Sequence, residues 1–470
     1  MIENKAKFST ADLKKIFGAS RLLNIEDDSL FTGVSTDSRQ IKNQEIFVAL
    51  SGENFDGHNK VIEAFEKGAG VALVSASKAD KLLATKPDLP LIVCENSLHG
   101  LGMLARYHRL RFNFPVIAIC GSNGKTSTKN FTAHLLEQKY KVLKTYGNFN
   151  NQIGVSLMLL QMNDDYDVVV LEIGTNEPGE ISLLSNTAMP THGIITNIGR
   201  EHLEKLIDLD GIEKEETALF DFLDANDGVC LINADDSRLA KHVDKTKKHL
   251  TFGNKTDFDI QTSYKLDSEL RPELLIKYAG DTIQAKLKTQ GYTTALNAFA
   301  AVAVAFSLGL SKEEIVRGLE TYEIELGAGY ARMLIEKIGS MTLINDCYNA
   351  NPDSMTAALK TLELITSADR KIAIIADMLE LGSTAVLQHT DILEQAVSAA
   401  DRVIVFGDNM CKACAAINNT EKIMLFADKQ ELIKFILFEV QDNDALLVKG
   451  SRGMRMEEVV NAIKENDKLL

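Results

Sequence analysis

A lysine and a threonine set directly behind a glycine-rich turn, at the mouth of an apolar run, are suited to holding a polyphosphate. In Val116-Ile117-Ala118-Ile119-Cys120 the residues are apolar and mostly β-branched, which predicts a buried parallel strand. Gly121-Ser122-Asn123-Gly124 turns the chain, and Lys125-Thr126-Ser127-Thr128 opens a helix that continues through Phe131, Leu135 and Leu136. Without side chains at Gly121 and Gly124 the backbone N–H groups can approach phosphate oxygens, and the helix N-terminus adds partial positive charge. Lys125 can then reach the outer phosphates and the Thr126 hydroxyl can ligate Mg²⁺. The loop is shorter than the general nucleotide-binding pattern, which carries a glycine where this chain has Ile119.

Further polar groups follow other apolar runs. Asp167-Val168-Val169-Val170-Leu171-Glu172 ends on a carboxylate, and a carboxylate at a strand end beside a phosphate loop is where a nucleotide enzyme places a second Mg²⁺ ligand. A strand over 193–197 runs into Gly199-Arg200-Glu201-His202-Leu203-Glu204. Asn345-Asp346-Cys347-Tyr348-Asn349-Ala350-Asn351-Pro352-Asp353-Ser354 lies at the carboxyl end of the strand 342–346, where ligands bind in open α/β sheets. The pair Cys411 and Cys414 has no second pair to complete a zinc site.

Three α/β units are expected to carry these groups. Helical and strand signals over 1–96 predict a small α/β domain, with strands at 45–50, 71–74 and 91–94. The phosphate loop belongs to a central domain over 97–322 with a mainly parallel sheet, entered through a helix over 97–111. From 323 to 470, strands at 342–346, 371–377, 402–406 and 445–448 alternate with helices, which predicts a doubly wound, Rossmann-like sheet. The alanine-rich run 295–310 is short for a bilayer and reads as a buried helix.

The chain of 470 residues is long enough for sizeable cores, and 25% charged with 45% hydrophobic residues is ordinary for a soluble protein. A net charge of −15 argues against a nucleic-acid partner. The start, Met1-Ile2-Glu3-Asn4-Lys5, has no apolar signal core, so a cytoplasmic location without stable membrane insertion is expected.

The short Gly-Ser-Asn-Gly-Lys-Thr loop, Glu-Ile-Gly-Thr-Asn-Glu-Pro-Gly-Glu-Ile over 172–181 and the Asn-Pro loop resemble the ATP-dependent amide ligases of the Mur family. The Asp-x-Tyr-Asn-Ala-Asn-Pro-x-Ser string is similar to members that add D-alanyl-D-alanine rather than one amino acid. The resemblance implies ATP with two Mg²⁺ ions, a UDP-N-acetylmuramoyl-tripeptide and D-alanyl-D-alanine as substrates, and a monomer. Another Mur-type ligase, such as one extending folate, and a nucleotide-dependent switch that ligates nothing are the alternatives.

It also implies site residues. Gly121, Ser122, Asn123, Gly124, Lys125, Thr126, Ser127, Asn297, Arg332 and Asp346 would hold ATP, with Lys125, His202 and Arg332 catalytic. Thr126 and Glu172 would take one cation, His202 and Glu216 the other; Glu216 stands where the family carries a carbamylated lysine, with Lys214 as the other candidate for that position. Ser35, Thr36, Asp37, Ser38, Arg39, Asp56, His58, Asn150 and Asn151 would contact the UDP-linked substrate. Tyr348, Asn349, Asn351, Ser354, Lys449, Ser451 and Arg452 would meet the incoming dipeptide. The family's His-Asn pair is missing at Thr293 and Thr294, so only Gly291 and Asn297 match there.

Overall fold

The computed structural model describes residues 4–324, 332–417 and 421–466. Three sheets organise the chain, each at the centre of an α/β unit. The first has five strands in the order Leu22–Leu23, Leu91–Cys94, Val71–Ser75, Ile46–Val48, Val34–Ser35, parallel except for the first pair. Its second strand continues, through an Asn96 side chain that accepts from the N–H groups of Leu98 and His99, into the helix Ser97–Arg109. That cap fixes where the first unit hands over to the second.

The central sheet has nine strands. Val116–Cys120 lies between Val168–Glu172 and His192–Ile195, parallel to both, and every residue of it is buried. The fully apolar run requires that position, because only a strand covered on both faces removes all of its side chains from water. In register, Ile119 faces Glu172 and Cys120 faces Ile195, so both neighbouring strands end beside the phosphate loop. The stretch 224–290, irregular in sequence, extends the sheet: Val229–Asn233, His249–Gly253 and Ile260–Leu266 continue it in parallel, and Pro272–Tyr278 and Asp281–Lys286 close it antiparallel. The alanine-rich run forms the helix Tyr292–Ser307, whose small side chains allow close packing against the loop's own helix, Lys125–Leu136. Among the described residues no helix is long and apolar enough to cross a membrane.

The third sheet runs Leu334–Ile338, Met341–Asp346, Asp444–Lys449, Arg370–Ala376, Arg402–Phe406, Ile423–Phe426, with only the first strand antiparallel. The second and third units share a core. Leu203, Leu206 and Ile212 of the central unit are buried in one cluster with Met355, Leu359, Met378 and Leu381 of the last. This seam carries the Asn-Pro loop over the phosphate loop.

Candidate active site

Thr196, Asn197 and Gly199, which follow the strand His192–Ile195, grip the phosphate loop from one side. The Thr196 hydroxyl donates to the Asn123 carbonyl at 2.6 Å, Asn197 Nδ2 donates to the same oxygen at 2.9 Å, and Ser122 Oγ donates to the Gly199 carbonyl at 3.0 Å. Gly121 has φ +110°, and a Cβ there would lie 2.4 Å from Thr196 Oγ1; Gly124 has φ +83° and would clash with Asn297 at 2.6 Å. Both positions need glycine for conformation and for space. Thr126 and Ser127 occupy the first turn of the following helix and are half-buried. Asn297 packs on the loop and accepts from Thr128 Oγ1 at 3.3 Å.

Lys125 is turned back into its own loop. Its ammonium donates to the carbonyls of Gly121 at 2.5 Å and Ser122 at 3.2 Å and lies 3.4 Å from Glu201 Oε2. Burial disfavours the charge, but Glu201, Glu216 and Glu172 outweigh it and raise the Lys125 pKa. Each of those carboxylates is buried and has one oxygen without a partner: Glu172 Oε2, Glu201 Oε1 and Glu216 Oε1. Orphaned buried acceptors are rare because each forfeits its hydration.

Separate elements aim these carboxylates. Asn150 donates to Glu172 Oε1 at 3.0 Å, so Asn150 orients a candidate cation ligand, and the exposed Asn151 caps the helix Gln152–Leu159 with its Oδ1. Glu216 lies in the helix Leu209–Ala225 and accepts from the Gly121 N–H at 2.8 Å, whereas Lys214 faces solvent. The register thus turns Glu216, not Lys214, toward the loop. Burial pushes Glu216 up to about 7, against the pull of Lys125. Glu215 is also buried and accepts from the N–H groups of Gly179 and Ile181, so the acidic run 213–216 is not a solvated face.

His202 adopts a left-handed conformation, φ +48°, and its Nδ1 donates to Glu380 Oε2 at 2.5 Å across the seam. Its Nε2 then faces Glu201 at 3.8 Å. A carboxylate behind an imidazole is how metal-ligating histidines are commonly oriented. Burial lowers the His202 pKa, but the Glu380 hydrogen bond and the charges of Glu201 and Glu380 raise it overall. No group of three or more His, Cys, Asp or Glu side chains is poised to hold a metal among the described residues. Mg²⁺ commonly takes one or two carboxylates and completes its shell with substrate phosphates and water, and the orphaned Glu172 and Glu216 oxygens fit that donor set.

The last unit meets the loop directly. Asn351 Nδ2 donates to Asn123 Oδ1 at 3.0 Å, and the Arg200 guanidinium pairs with Asp353 at 2.7 Å and with Gln388 at 2.9 Å. Arg332 lies 3.8 Å from the Tyr348 ring centroid, stacked on the Asn-Pro loop. Gly329, Tyr330 and Ala331, which precede it in the matching segment, lie outside the described residues.

Several expected contact residues have internal partners. Asp346 accepts from Lys449 Nζ at 2.6 Å and from the Met333 N–H at 3.0 Å, so the two side chains brace each other. Asn351 and Ser354 form the capping box of the helix Pro352–Leu364. Ser451 accepts from the Leu379 N–H, and Asn349 Oδ1 accepts from the Arg452 N–H at 3.4 Å. In the first unit Arg39 clamps Asp37 at 2.8 Å and holds its carboxyl down to about 2. Ser35 Oγ donates to the Asp37 carbonyl, the buried Ser38 donates to Glu63, and Thr36 is half-buried between them. His58 is buried with both ring nitrogens used: Nδ1 on Asp56 at 2.6 Å, Nε2 accepting from the Ser75 N–H at 3.0 Å. Among these, the structure makes His58 a brace rather than an exposed contact.

Sequence reasoning missed Glu201, Arg200, Asp353 and Glu380. Only Glu201 had a usable signal, a carboxylate adjacent to a histidine just past a strand end. The others act through pairing across the seam, which spacing in one chain does not reveal.

A phosphate loop beside a parallel strand that ends on a carboxylate, met by the carboxyl edge of a second wound sheet, is the arrangement of an ATP-dependent ligase of three α/β units, and the comparisons agree. The Mur ligase middle domain matches residues 119–305, the Mur ligase glutamate ligase domain 332–452, and the Mur ligase family catalytic domain 30–109. This chain belongs to the Mur ligase family. It is 32% identical over 445 residues to the UDP-N-acetylmuramoyl-tripeptide–D-alanyl-D-alanine ligase of Bacillus subtilis, covering 94% of both chains. It is 33% identical to the same-named ligase of Escherichia coli, covering 93% of this chain and 95% of that one. Among solved structures, MurF from Acinetobacter baumannii superposes with a TM-score of 0.87 at 27% identity, covering 98% of this chain and 100% of that one. MurF ligase from Thermotoga maritima, solved in complex with ADP, gives 0.80 at 25% identity, covering 92% and 97%.

Proposed function

We infer that this chain is an ATP-dependent ligase that joins D-alanyl-D-alanine to the terminal carboxylate of a UDP-N-acetylmuramoyl-tripeptide, in peptidoglycan precursor synthesis. A carboxylate is a poor electrophile at neutral pH. Transfer of the γ-phosphoryl group of ATP to it gives an acyl phosphate; attack by the dipeptide amine forms the amide and expels phosphate, leaving ADP. The observation that carries this reading is the seam: Asn351 bonded to Asn123 brings the Asn-Pro loop and Arg332 onto the phosphate loop.

The residues divide the work by position. Lys125 and Arg332, with the loop N–H groups, offset the charge of the phosphates as the incoming carboxylate approaches. Asn297 flanks the loop where the nucleotide would lie. Thr126 and Glu172 would hold one Mg²⁺, and His202 with Glu216 a second; when bound, the ions neutralise phosphate charge. Glu216 brings its own carboxylate, so no carbamylated lysine is needed. Arg39, with the half-buried Ser35 and Thr36 beside it, is the first-unit group best exposed for the UDP end of the substrate, and Asn349 and Arg452 are the best exposed for the dipeptide. The three units correspond to 1–96, 97–322 and 323–470. The chain acts as a cytoplasmic monomer.

Phosphate release from ATP and Mg²⁺ should require both the UDP-linked tripeptide and D-alanyl-D-alanine, with a product heavier by one dipeptide residue on mass spectrometry. Hydrolysis indifferent to both substrates would overturn the reading and leave a nucleotide switch.

A further inference from the structure

Two kinds of contact join the last unit to the central one. Leu203, Leu206 and Ile212 share a buried apolar cluster with Met355, Leu359 and Met378, which holds the units together but has no direction of its own. The angle between them therefore falls to directional polar bonds, and several of these meet at Asp353. One carboxylate oxygen accepts from the Arg200 backbone N–H at 2.6 Å, the other from Arg200 Nε at 3.1 Å and Nη2 at 2.7 Å. Arg200 Nη1 donates to Gln388 Oε1 at 2.9 Å, so one guanidinium holds the helices Pro352–Leu364 and Ala385–Ala399 together. Behind Arg200 the grip continues to the phosphate loop: the Gly199 N–H donates to Ser122 Oγ at 2.8 Å, and its carbonyl accepts from the same hydroxyl at 3.0 Å. A Cβ at Gly199 would lie 2.7 Å from Asp353 Oδ2, so the carboxylate comes this close only because the residue is glycine. An ordinary surface ion pair, two flexible side chains meeting in water, requires neither the glycine nor the backbone donor.

We propose that Arg200 and Asp353 are positioning residues that set the angle at which the last unit closes over the phosphate loop. Asp353 lies in the first turn of the helix that Asn351 caps, and Asn351 itself touches Asn123, so the pair fixes where the loop 347–351 stands. The inference rests on the reading of that loop as the dipeptide's contact. An amine held slightly out of line with the activated carboxyl reacts far more slowly, so a small change of angle is felt in the dipeptide step. The Arg200 and Asp353 side chains are 29% and 37% exposed, so the pair is open to screening by salt.

The test compares the full chain with Arg200→Ala, Asp353→Ala and the double variant. Each single change should raise the KM for D-alanyl-D-alanine roughly threefold to fivefold, and the double variant should be no worse than either single one. ADP affinity by calorimetry, set by the phosphate loop of the central unit, should stay unchanged. Arg200→Lys, which keeps the charge without the planar fork, should recover part of the loss. Without substrates, small-angle scattering should give Arg200→Ala a larger radius of gyration than the parent. An unchanged dipeptide KM in both single variants, or losses that add in the double variant, overturns the inference. Should the alanine variants not fold, salt serves on the parent: added sodium chloride should raise its dipeptide KM more than that of Arg200→Lys, and an equal rise overturns the inference. A parent that binds ADP yet never turns over with the dipeptide overturns the proposed function instead; the scattering comparison then decides the pair by itself, equal radii overturning it.

Discussion

The phosphate loop and the Asp56–His58 knot of the first unit are both rich in buried polar groups, yet they are built in opposite ways. Around Asp56 everything is paired. Its carboxylate accepts from Lys78, His58 and Ser51, and Lys78 above all holds its pKa below the usual carboxylate range. Around Lys125 the carboxylates Glu172, Glu201 and Glu216 each keep an oxygen unsatisfied. A polar cluster that satisfies itself is scaffold; one that leaves dehydrated acceptors open has the donor set to hold a further group. The sequence clusters looked alike, and only the pairing distinguishes them.

The sharpest way to break this contrast is at the loop. Lys125→Ala should cut turnover, read as phosphate release, on the order of 10²-fold or more; near-normal turnover would refute the reading of the loop.

A second experiment tests whether an orphaned atom must be charged to matter. His108 Nε2 donates to the Met162 carbonyl at 2.8 Å, leaving Nδ1 bare and the ring neutral. Burial lowers its pKa to about 4, and burial does the same for His192. The unfolded state therefore binds more protons between that value and an unfolded pKa of about 6.5. Stability should be full above that upper value and decline as pH falls toward the lower one, by roughly 2 kcal/mol for His108. Urea melts of the parent and of His108→Gln, at neutral and mildly acidic pH, should show a shallower decline in the variant; identical declines would refute the assignment.

The knot predicts a smaller loss of a different kind. Asp56→Ala leaves His58, Lys78 and Ser51 without their acceptor and should lower folding stability by about 1–2 kcal/mol in denaturant melts. Unchanged stability would show that the knot is not scaffold. The smallest expected effect is none: stripping carbon dioxide and bicarbonate should leave turnover unchanged, since Glu216 needs no modification, whereas recovery of activity on adding bicarbonate would point back to a lysine.

Much of the architecture could be read in the chain because its signals are local. An all-apolar run before Gly121 can only be a covered strand, the Asn96 cap starts a helix wherever it sits, and the alternation beyond 342 dictates a wound sheet. The types at Lys125 and Glu172 marked the chemistry for the same reason: a function that depends on charge next to a glycine turn or a strand end is written in adjacent residues, whereas Glu216, in mid-helix, was marked only by the family resemblance. Local signals were also ambiguous, since Asn151 and Ser354 cap helices and His58 is a buried brace. Their residue types suit ligands and caps equally well.

What only the tertiary structure decided is which groups remain unpaired and which meet across domains. That Lys125 turns inward, that Glu201 faces it, that Arg200 reaches Asp353 and His202 reaches Glu380 depend on separations of 76, 153 and 178 residues. Pairing at that range is set by how sheets and helices pack. The residues themselves carry the chemistry; their placement in the fold determines which of them are left open to do it.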